Sequence, residues 1–401
     1  MFEQLRRLPS TIWLLGLISL LNDSASEMLY PLLPIYLASV LMAGPRVLGL
    51  IEGIAEATAS LLKLFSGVLV DRSGRAKPLI VLGYSLAGFG RPLLALAGSW
   101  PAVLAIRFAD RVGKGLRSSP RDALLAASVA PEGRGLAFGL HRAMDNAGAV
   151  LGPLLAALLL GQGVGLREIF LLSIVPALAC LGLSMALKEP VTAVPKVKPV
   201  FNWALRDMPA VFKRYLLVVA LFTLGNSSNM FLLLRARELG LPDAHIPLAW
   251  ALMSAVAMVF STPLSALSDR IGRSRLIMAG WLAFALFYLA MGSMAAHSPW
   301  LIFAAFGCYG LFMAATEGAE KALVADLAPA ARMGTAFGWF NLVTGLMLLP
   351  ASLLFGWLYH GYGAPTAFAV SSACAAGAVL LLALWVGAIP EAAGAGGGVS
   401  R

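Results

Sequence analysis

Two carboxylates four residues apart, Asp23 and Glu27 in LLNDSASEMLYPLLP, interrupt an otherwise apolar stretch. That spacing places both on one face of a helix, where they could take up a proton or a cation. Glu52 and Glu56 repeat the spacing, followed by Lys63, and Arg91 stands further on. The densest charge lies at 107–122, where Arg107, Arg111, Lys114 and Arg121 fall on one helical face. Asp110 and Arg117 lie beside that stripe and Asp122 closes it. His141, Arg142 and Asp145 follow, and Glu317, Glu320 and Lys321 come much later. Such groups can pair with one another, bind a charged small molecule, or exchange protons. Neither a nucleotide-binding loop nor a catalytic triad pattern is present, so the chain is not expected to be an enzyme.

The elements that must carry these residues follow from composition. Of 401 residues, 59% are hydrophobic and 12% charged, against about one quarter charged in soluble chains. Mean hydropathy is +0.83. Apolar runs of about 20 residues recur throughout, long enough to cross a bilayer. They are continuous rather than alternating, which excludes a β-barrel. The reading is an all-α membrane protein with about twelve transmembrane helices. These are predicted at 11–40, 47–70, 78–98, 101–128, 135–161, 167–187, 214–237, 246–268, 275–295, 299–327, 334–359 and 365–388. Residues 1–187 and 214–388 would form two six-helix bundles joined by a Pro- and Lys-rich linker at 188–213. A tail at 389–401 is expected to be disordered.

Alternate loops carry the Lys and Arg: Arg6 and Arg7, Arg72, Arg75 and Lys77, Arg134, the linker, Arg270, Arg273 and Arg275, and Arg332. Both termini are therefore expected in the cytoplasm of a multi-pass inner-membrane protein, with Arg235 and Arg237 as exceptions. The formal net charge of +10 is assigned to these loops rather than to nucleic-acid binding. The N-terminal run has no small-residue cleavage site and reads as the first helix rather than a signal peptide. Cys180, Cys308 and Cys374 lie in apolar segments and suggest neither a disulfide frame nor a metal site.

The two bundles repeat. GVLVDRSGR at 67–75 recurs as SALSDRIGR at 265–273, and APEGRGLAFG at 130–139 as APAARMGTAFG at 328–338. A six-plus-six duplication puts a binding site at the repeat interface near mid-membrane, as in secondary transporters. On Gly67, Asp71, Arg72, Gly74 and Arg75, echoed by Asp269, Arg270, Gly272 and Arg273, the chain resembles the major facilitator superfamily. Ser265 replaces a glycine in the echo. The resemblance implies that these residues form a cytoplasmic gate whose charges pair across the halves. Gly148, Gly152 and Pro153 in NAGAVLGPLLAA resemble the superfamily's antiporter motif, with Ala156 and Ala157 in place of its closing glycines. They could equally serve as small-residue helix packing.

The resemblance further implies a central cavity lined by helices one, four, seven and ten, so that Asp23, Glu27, Arg107, Asp110 and Arg111 face it. Two uses of the basic stripe remain open. Its cations can pair with Asp110, Asp122 and Asp145 and hold helices four and five together, or they can bind an anionic substrate. Asp23 and Glu27 are candidate proton or cation carriers, since a substrate that takes over an arginine changes a neighbouring acid's hold on its proton. His141, Arg142 and Asp145 would extend the site, with Asn226, Asn229 and Glu317 contributing from the second half. The expectation is a monomeric, alternating-access transporter in the lipid bilayer, without a bound cofactor and driven by the proton gradient. It would act as a proton-coupled exporter (antiporter) of a small anionic organic molecule. The alternative is a divalent-metal-ion exporter using Asp23, Glu27, Asp145 and His141. A third reading is a non-transporting receptor or scramblase-like protein of the same fold.

Overall fold

A computed structural model describes residues 8–73, 75–129, 134–188, 205–295, 298–329 and 333–386. Among the described residues there is no strand, and the helices trace twelve crossings in two sets of six. The expected tail at 389–401 and the greater part of the expected linker, 189–204, lie outside the described residues.

Local sequence decides where helices break. The first span runs as Ser10–Leu29, a 3-10 turn Tyr30–Leu32 and a second helix Leu33–Ser39. Pro31 and Pro34 each sit at the start of a helical piece, where a missing N–H costs nothing. The seventh span is predicted as one helix over 214–237, but it is two, Ala210–Gly225 and Met230–Glu238. Asn226 leaves helical geometry at φ −96°, ψ 78°. The short polar side chains of this break compete for backbone groups, and the Met230 N–H donates to Ser228 Oγ at 3.3 Å. Four glycines at positive φ lie between spans, two of them at tight turns on or between long helices. Gly272 (95°) separates Ile246–Ile271 from Arg273–Ser293, and Gly363 (84°) divides Met333–Trp385 into the last two crossings.

Eight stretches of the described residues are long and apolar enough to cross a membrane, the last of them, Ala336–Trp385, containing two crossings. The spans outside this set are Ser10–Ser39, Pro45–Ser73 and Trp100–Ala127, which carry most of the acids and arginines of the N-terminal half. Their charges have to be buried among protein groups or in a wet seam. Large apolar side chains, including Leu17, Leu158, Leu217, Leu286 and Leu384, are exposed around the outside of the bundle, as a lipid-facing surface requires.

Span one packs on span five, span two on span four, and span eight on span ten. The halves join along two long seams, span two with span eleven and span five with span eight. The face on which span one starts and span twelve ends also carries Arg75, Lys77, Arg273 and Arg275, and is called the basic side below. On the opposite side Leu33–Ser39 packs against Met230–Glu238 and closes the seam. There Arg235, an exception to the loop-charge pattern, donates to the carbonyls of Met291 and Met294 at 3.1 and 2.6 Å. It caps the last turn of span nine, where a cation also suits the helix dipole. Arg237, the other exception, pairs with Asp243 at 2.8 Å.

Candidate functional site

The inner part of the stripe on span four, Arg107 and Arg111, is engaged with acids. Arg107 Nη2 donates to Glu52 Oε1 at 2.6 Å, and its Nη1 lies 3.6 Å from Asp110 Oδ2. Arg111 forms an ion pair with Glu56 at 3.0 Å and donates to Asp110 Oδ2 at 3.3 Å. Arg91 Nε donates to the other Asp110 oxygen at 2.9 Å, and its Nη1 to the carbonyl and side-chain oxygens of Asn22. Three guanidinium groups thus meet three carboxylates across spans two, three and four. All are buried except the partly exposed Glu56. In the sequence the stripe showed no local acid beyond Asp110, Asp122 and Asp145; its principal counterions are Glu52 and Glu56 on span two. Removing either sign from such a set would leave an uncompensated buried charge.

Further along the same face the pairing thins. Arg117 is buried with its guanidinium 4.9 Å from the centre of the Tyr84 ring, a cation–π contact, and its Nη1 has no hydrogen-bond partner among the described residues. Lys63 and Lys114 have no carboxylate within ion-pair distance among the described residues. Arg121 reaches Asp122 at 3.1 Å and the Ser19 hydroxyl at 3.2 Å.

Glu27 stands apart from this set. It lies on span one at the seam, and among the described residues its hydrogen-bond donor is Trp250 Nε1 of span eight, in the other half, at 2.8 Å. Tyr30 lies against Trp250 with ring centroids 4.8 Å apart. One turn earlier, Asn22 Nδ2 donates to Asp23 Oδ1 at 2.7 Å, and a turn before that the Ser19 hydroxyl donates to Asp145 Oδ1 of span five at 2.6 Å. Gly148 and Gly152 make this approach possible. A Cβ on Gly148 would stand 2.5 Å from the Leu20 carbonyl oxygen and 3.0 Å from Asp23 Cβ, and one on Gly152 2.5 Å from the Ser24 oxygen. The antiporter-like glycines therefore lie on the span one–span five contact, with Pro153 inside the span-five helix. His141 is buried, and its Nε2 has no hydrogen-bond partner among the described residues.

The second half answers with neutral groups. Ser228 Oγ donates to Glu52 Oε2 at 3.5 Å, and the Tyr309 hydroxyl donates to Asn229 Oδ1 at 2.7 Å. Asn226 contributes the helix break itself. Glu317 on span ten pairs with Arg142 of span five, across the seam, and with Lys321 at 3.4 Å. Glu320 turns into its own bundle and accepts from Trp281 Nε1 at 2.8 Å. Exposure along the seam rises toward the basic side: the Glu52 side chain is 0% exposed, Glu56 28%, Glu317 47% and Arg142 55%. The site is shut on one side and wet on the other.

Of the expected gate, Gly67, Asp71 and Arg72 lie in the helix Pro45–Ser73, Arg75 is exposed, and Gly272 provides the turn noted above. Gly74 and the side chains of Asp71, Arg72, Asp269 and Arg270 lie outside the described residues. Arg273 pairs with Asp326 at 2.9 Å within its own half. Sequence reasoning missed Trp250, Tyr30, Tyr84, Tyr309, Ser19 and Asn22, whose partners belong to other spans and leave no signal in local spacing. Among the described residues, no three His, Cys, Asp or Glu side chains are grouped to hold a metal ion.

Residues 15–233 and 215–399 each match the family model described as Major Facilitator Superfamily. An uncharacterized transporter of that type from Methanocaldococcus jannaschii is 34% identical over 365 residues, covering 89% of this chain and 90% of its own. The multidrug resistance protein MdtH of Yersinia pestis is 27% identical over 82% of each chain. Solved structures share the fold at low identity. The nucleoside transporter NupG aligns with a TM-score of 0.79 at 14% identity, covering 93% of this chain and 98% of its own. A D-xylose–proton symporter aligns with a TM-score of 0.76 at 16% identity, covering 94% and 97%.

Proposed function

The chain belongs to the major facilitator superfamily, and from that premise we propose that it is a proton-coupled exporter of a small organic molecule. It works by alternating access in the cell membrane, with both termini and the basic side facing the cytoplasm. The observation that carries this reading is Glu27, an acid at the seam with no cationic partner among the described residues and with a hydrogen bond to the opposite half. An acid so placed can exchange its proton against a cargo that arrives between the halves.

The partners of Arg107 and Arg111 bear on cargo charge. With Glu52, Glu56 and Asp110 beside them, these arginines hold little surplus charge for an anion. Glu27 bonded to Trp250, against which Tyr30 packs, sets a carboxylate beside aromatic rings, a combination suited to an organic cation or an amphipathic molecule. Likeness to a multidrug resistance protein supports the same class. The anionic reading retains one specific support, the unpaired Lys114 and Arg117 further along span four. A divalent-metal cargo fits poorly, because Asp23, Glu27, Asp145 and His141 are not grouped as a ligand set.

The test is flux into proteoliposomes with an acidic interior, using a fluorescent organic cation in parallel with an organic anion. Accumulation of the cation, abolished by a protonophore and lost in Glu27→Gln, is the expected result. Flux indifferent to the gradient and unchanged in that variant overturns the proposal. Gradient-driven accumulation of the anion instead would return the cargo to the basic stripe.

A further inference from the structure

Two lysines of the N-terminal half, Lys63 and Lys114, point into the space between the halves. On span two, Ser60 faces span eleven, where a Cβ on Gly345 would stand 2.2 Å from Ser60 Cβ. Leu62 faces span four, where a Cβ on Gly115 would stand 2.4 Å from Leu62 Cβ. Leu61 and Phe65, two residues to either side of Lys63, are exposed toward lipid. At about 100° per residue Lys63 points away from both, on the face it shares with Glu56. On span four, Lys114 stands between Gly113, packed on the Gly83 carbonyl of span three, and Gly115, packed on span two. The exposed Ala105 and Ala123 lie nine residues to either side and point the opposite way. The two spans are pinned at this level: Ser66 Oγ donates to the Gly115 carbonyl at 2.8 Å, and Ser119 Oγ to that of Lys63 at 2.7 Å. Lys63 and Lys114 are therefore neighbours on one wall of the seam.

The acids around that wall are taken. Glu56 pairs with Arg111, Asp122 with Arg121, and Glu317 of span ten with Arg142 and Lys321. Glu27 on span one has the opposite lack, an acid with no cation within ion-pair distance among the described residues. Its depth can be read from the bond of Arg121 Nη1 to Ser19 Oγ at 3.2 Å, which sets spans one and four in register as they run in opposite directions. Counted toward the shut side, Lys114 is seven residues from Arg121 and Glu27 eight from Ser19, rises of about 10 and 12 Å. Glu27 and Lys114 thus stand at matching depth on two walls of the seam, with Lys63 next to Lys114 and open to the wet side.

We propose that the cargo is a zwitterion, held with its cationic group at Glu27 and its anionic group, a carboxylate or phosphate, at Lys63 and Lys114. A simple cation entering from the open side meets the like charge of the two lysines, and a simple anion at Lys114 meets the carboxylate of Glu27. A molecule that carries both signs satisfies both walls, and the repulsion of the other two classes is part of the selection. The rings of Trp250 and Tyr30 beside Glu27 suit an apolar body between the charged ends. This rests on the reading of Glu27 above and adds the residues that select the second charge.

The test is binding to full-length protein in nanodiscs, measured by titration calorimetry. The probes are ω-aminoalkanoates of increasing length, each set beside the alkylamine and the alkanoate of the same chain. At the length that spans the two walls, the zwitterion should bind about tenfold tighter than the amine, with the alkanoate weakest. Lys63→Gln and Lys114→Gln should each reduce that advantage, and the double variant should erase it. Binding of the alkylamine should persist in all three, which shows that they are folded. Glu27→Gln should weaken amine and zwitterion alike. A zwitterion that binds no tighter than the amine at any length, or an advantage that survives in the double lysine variant, overturns the proposal. A lysine-dependent advantage in a protein whose amine binding ignores Glu27→Gln would keep the anion subsite and sink the reading of Glu27 instead. Flux of the best zwitterion that ignores the pH gradient, with the binding pattern intact, would count against proton coupling alone.

Discussion

Where the N-terminal half buries Arg91, Arg107 and Arg111 around Asp110, the C-terminal half fills the repeat-related spans with rings. Phe222 stacks on Trp281 with centroids 4.2 Å apart, and Phe284 and Phe312 pack against the same ring of Phe222. Tyr288, Phe355 and Phe368 continue the cluster. Duplicated topology thus holds two kinds of interior. Aromatic packing is favourable whatever the protonation of the surroundings. A buried ion cluster gives little net stability relative to apolar residues of the same volume, yet it penalises any rearrangement that strands a charge. The N-terminal half therefore can respond to a proton or a charged cargo, while the C-terminal half offers a firm wall with neutral donors at Ser228 and Tyr309.

That contrast breaks most severely at Asp110. Asp110→Ala leaves three guanidinium groups buried around an empty position, at a cost of about 5 kcal/mol. We expect little monodisperse protein from detergent extracts, as read by fluorescence-detected size exclusion. Adding Arg91→Met should restore part of the yield by removing one stranded cation. Equal recovery of Asp110→Ala and wild type would mean that the cluster is wet and the halves are less different than their contacts indicate. Phe222→Ala should cost about 4 kcal/mol through lost burial and a residual cavity. It should lower the thermal midpoint while leaving the pH dependence of flux unchanged. A shifted pH profile would show that the aromatic half takes part in coupling.

How much of this was legible in the sequence depends on range. Twelve crossings, the internal repeat and the charged helical face at 107–122 follow from hydropathy and spacing, all local quantities. The partners do not. Glu52 lies 55 residues before Arg107, and Trp250 lies 223 after Glu27, so only the packing of spans brings them together. Asp23 shares a helix face with Glu27, which suggested one acid pair. The fold instead gives them different neighbours: Asp23 accepts from Asn22 on the span-five side, and Glu27 accepts from Trp250 of span eight. The interruption of span seven was present as GNSSN, yet an apolar window of membrane length averages over four polar residues.

Gly148→Ala is an intermediate perturbation, confined to the N-terminal half. Its methyl group would meet the Leu20 carbonyl and Asp23 Cβ, and overpacking of this kind costs about 2 kcal/mol. Spans one and five would separate slightly, lengthening the Ser19–Asp145 hydrogen bond and shifting Asp23. A lowered thermal midpoint together with a displaced pH profile of flux is the expected pair of results. A lowered midpoint alone would reduce the glycine to packing, and the polar half would then differ from the aromatic one in material but not in sensitivity.

The smallest change falls in the aromatic half where it touches the seam. Tyr309 is buried, and its hydroxyl donates to Asn229 Oδ1 at the break in span seven. Tyr309→Phe keeps the ring and its contacts with Phe284, Phe287 and Phe312 while deleting one hydrogen bond, a loss of about 1 kcal/mol. The midpoint should fall by no more than a few degrees. Asn229, relieved of its partner, gains a free acceptor at the end of Met230–Glu238, so apparent cargo affinity should change more than stability does. Transport titrations over a series of cargoes, set beside melting curves, separate the two effects. If affinity is unmoved for every cargo, the C-terminal half is a wall and nothing more, and the chemistry of the seam belongs to spans one, two, four and five.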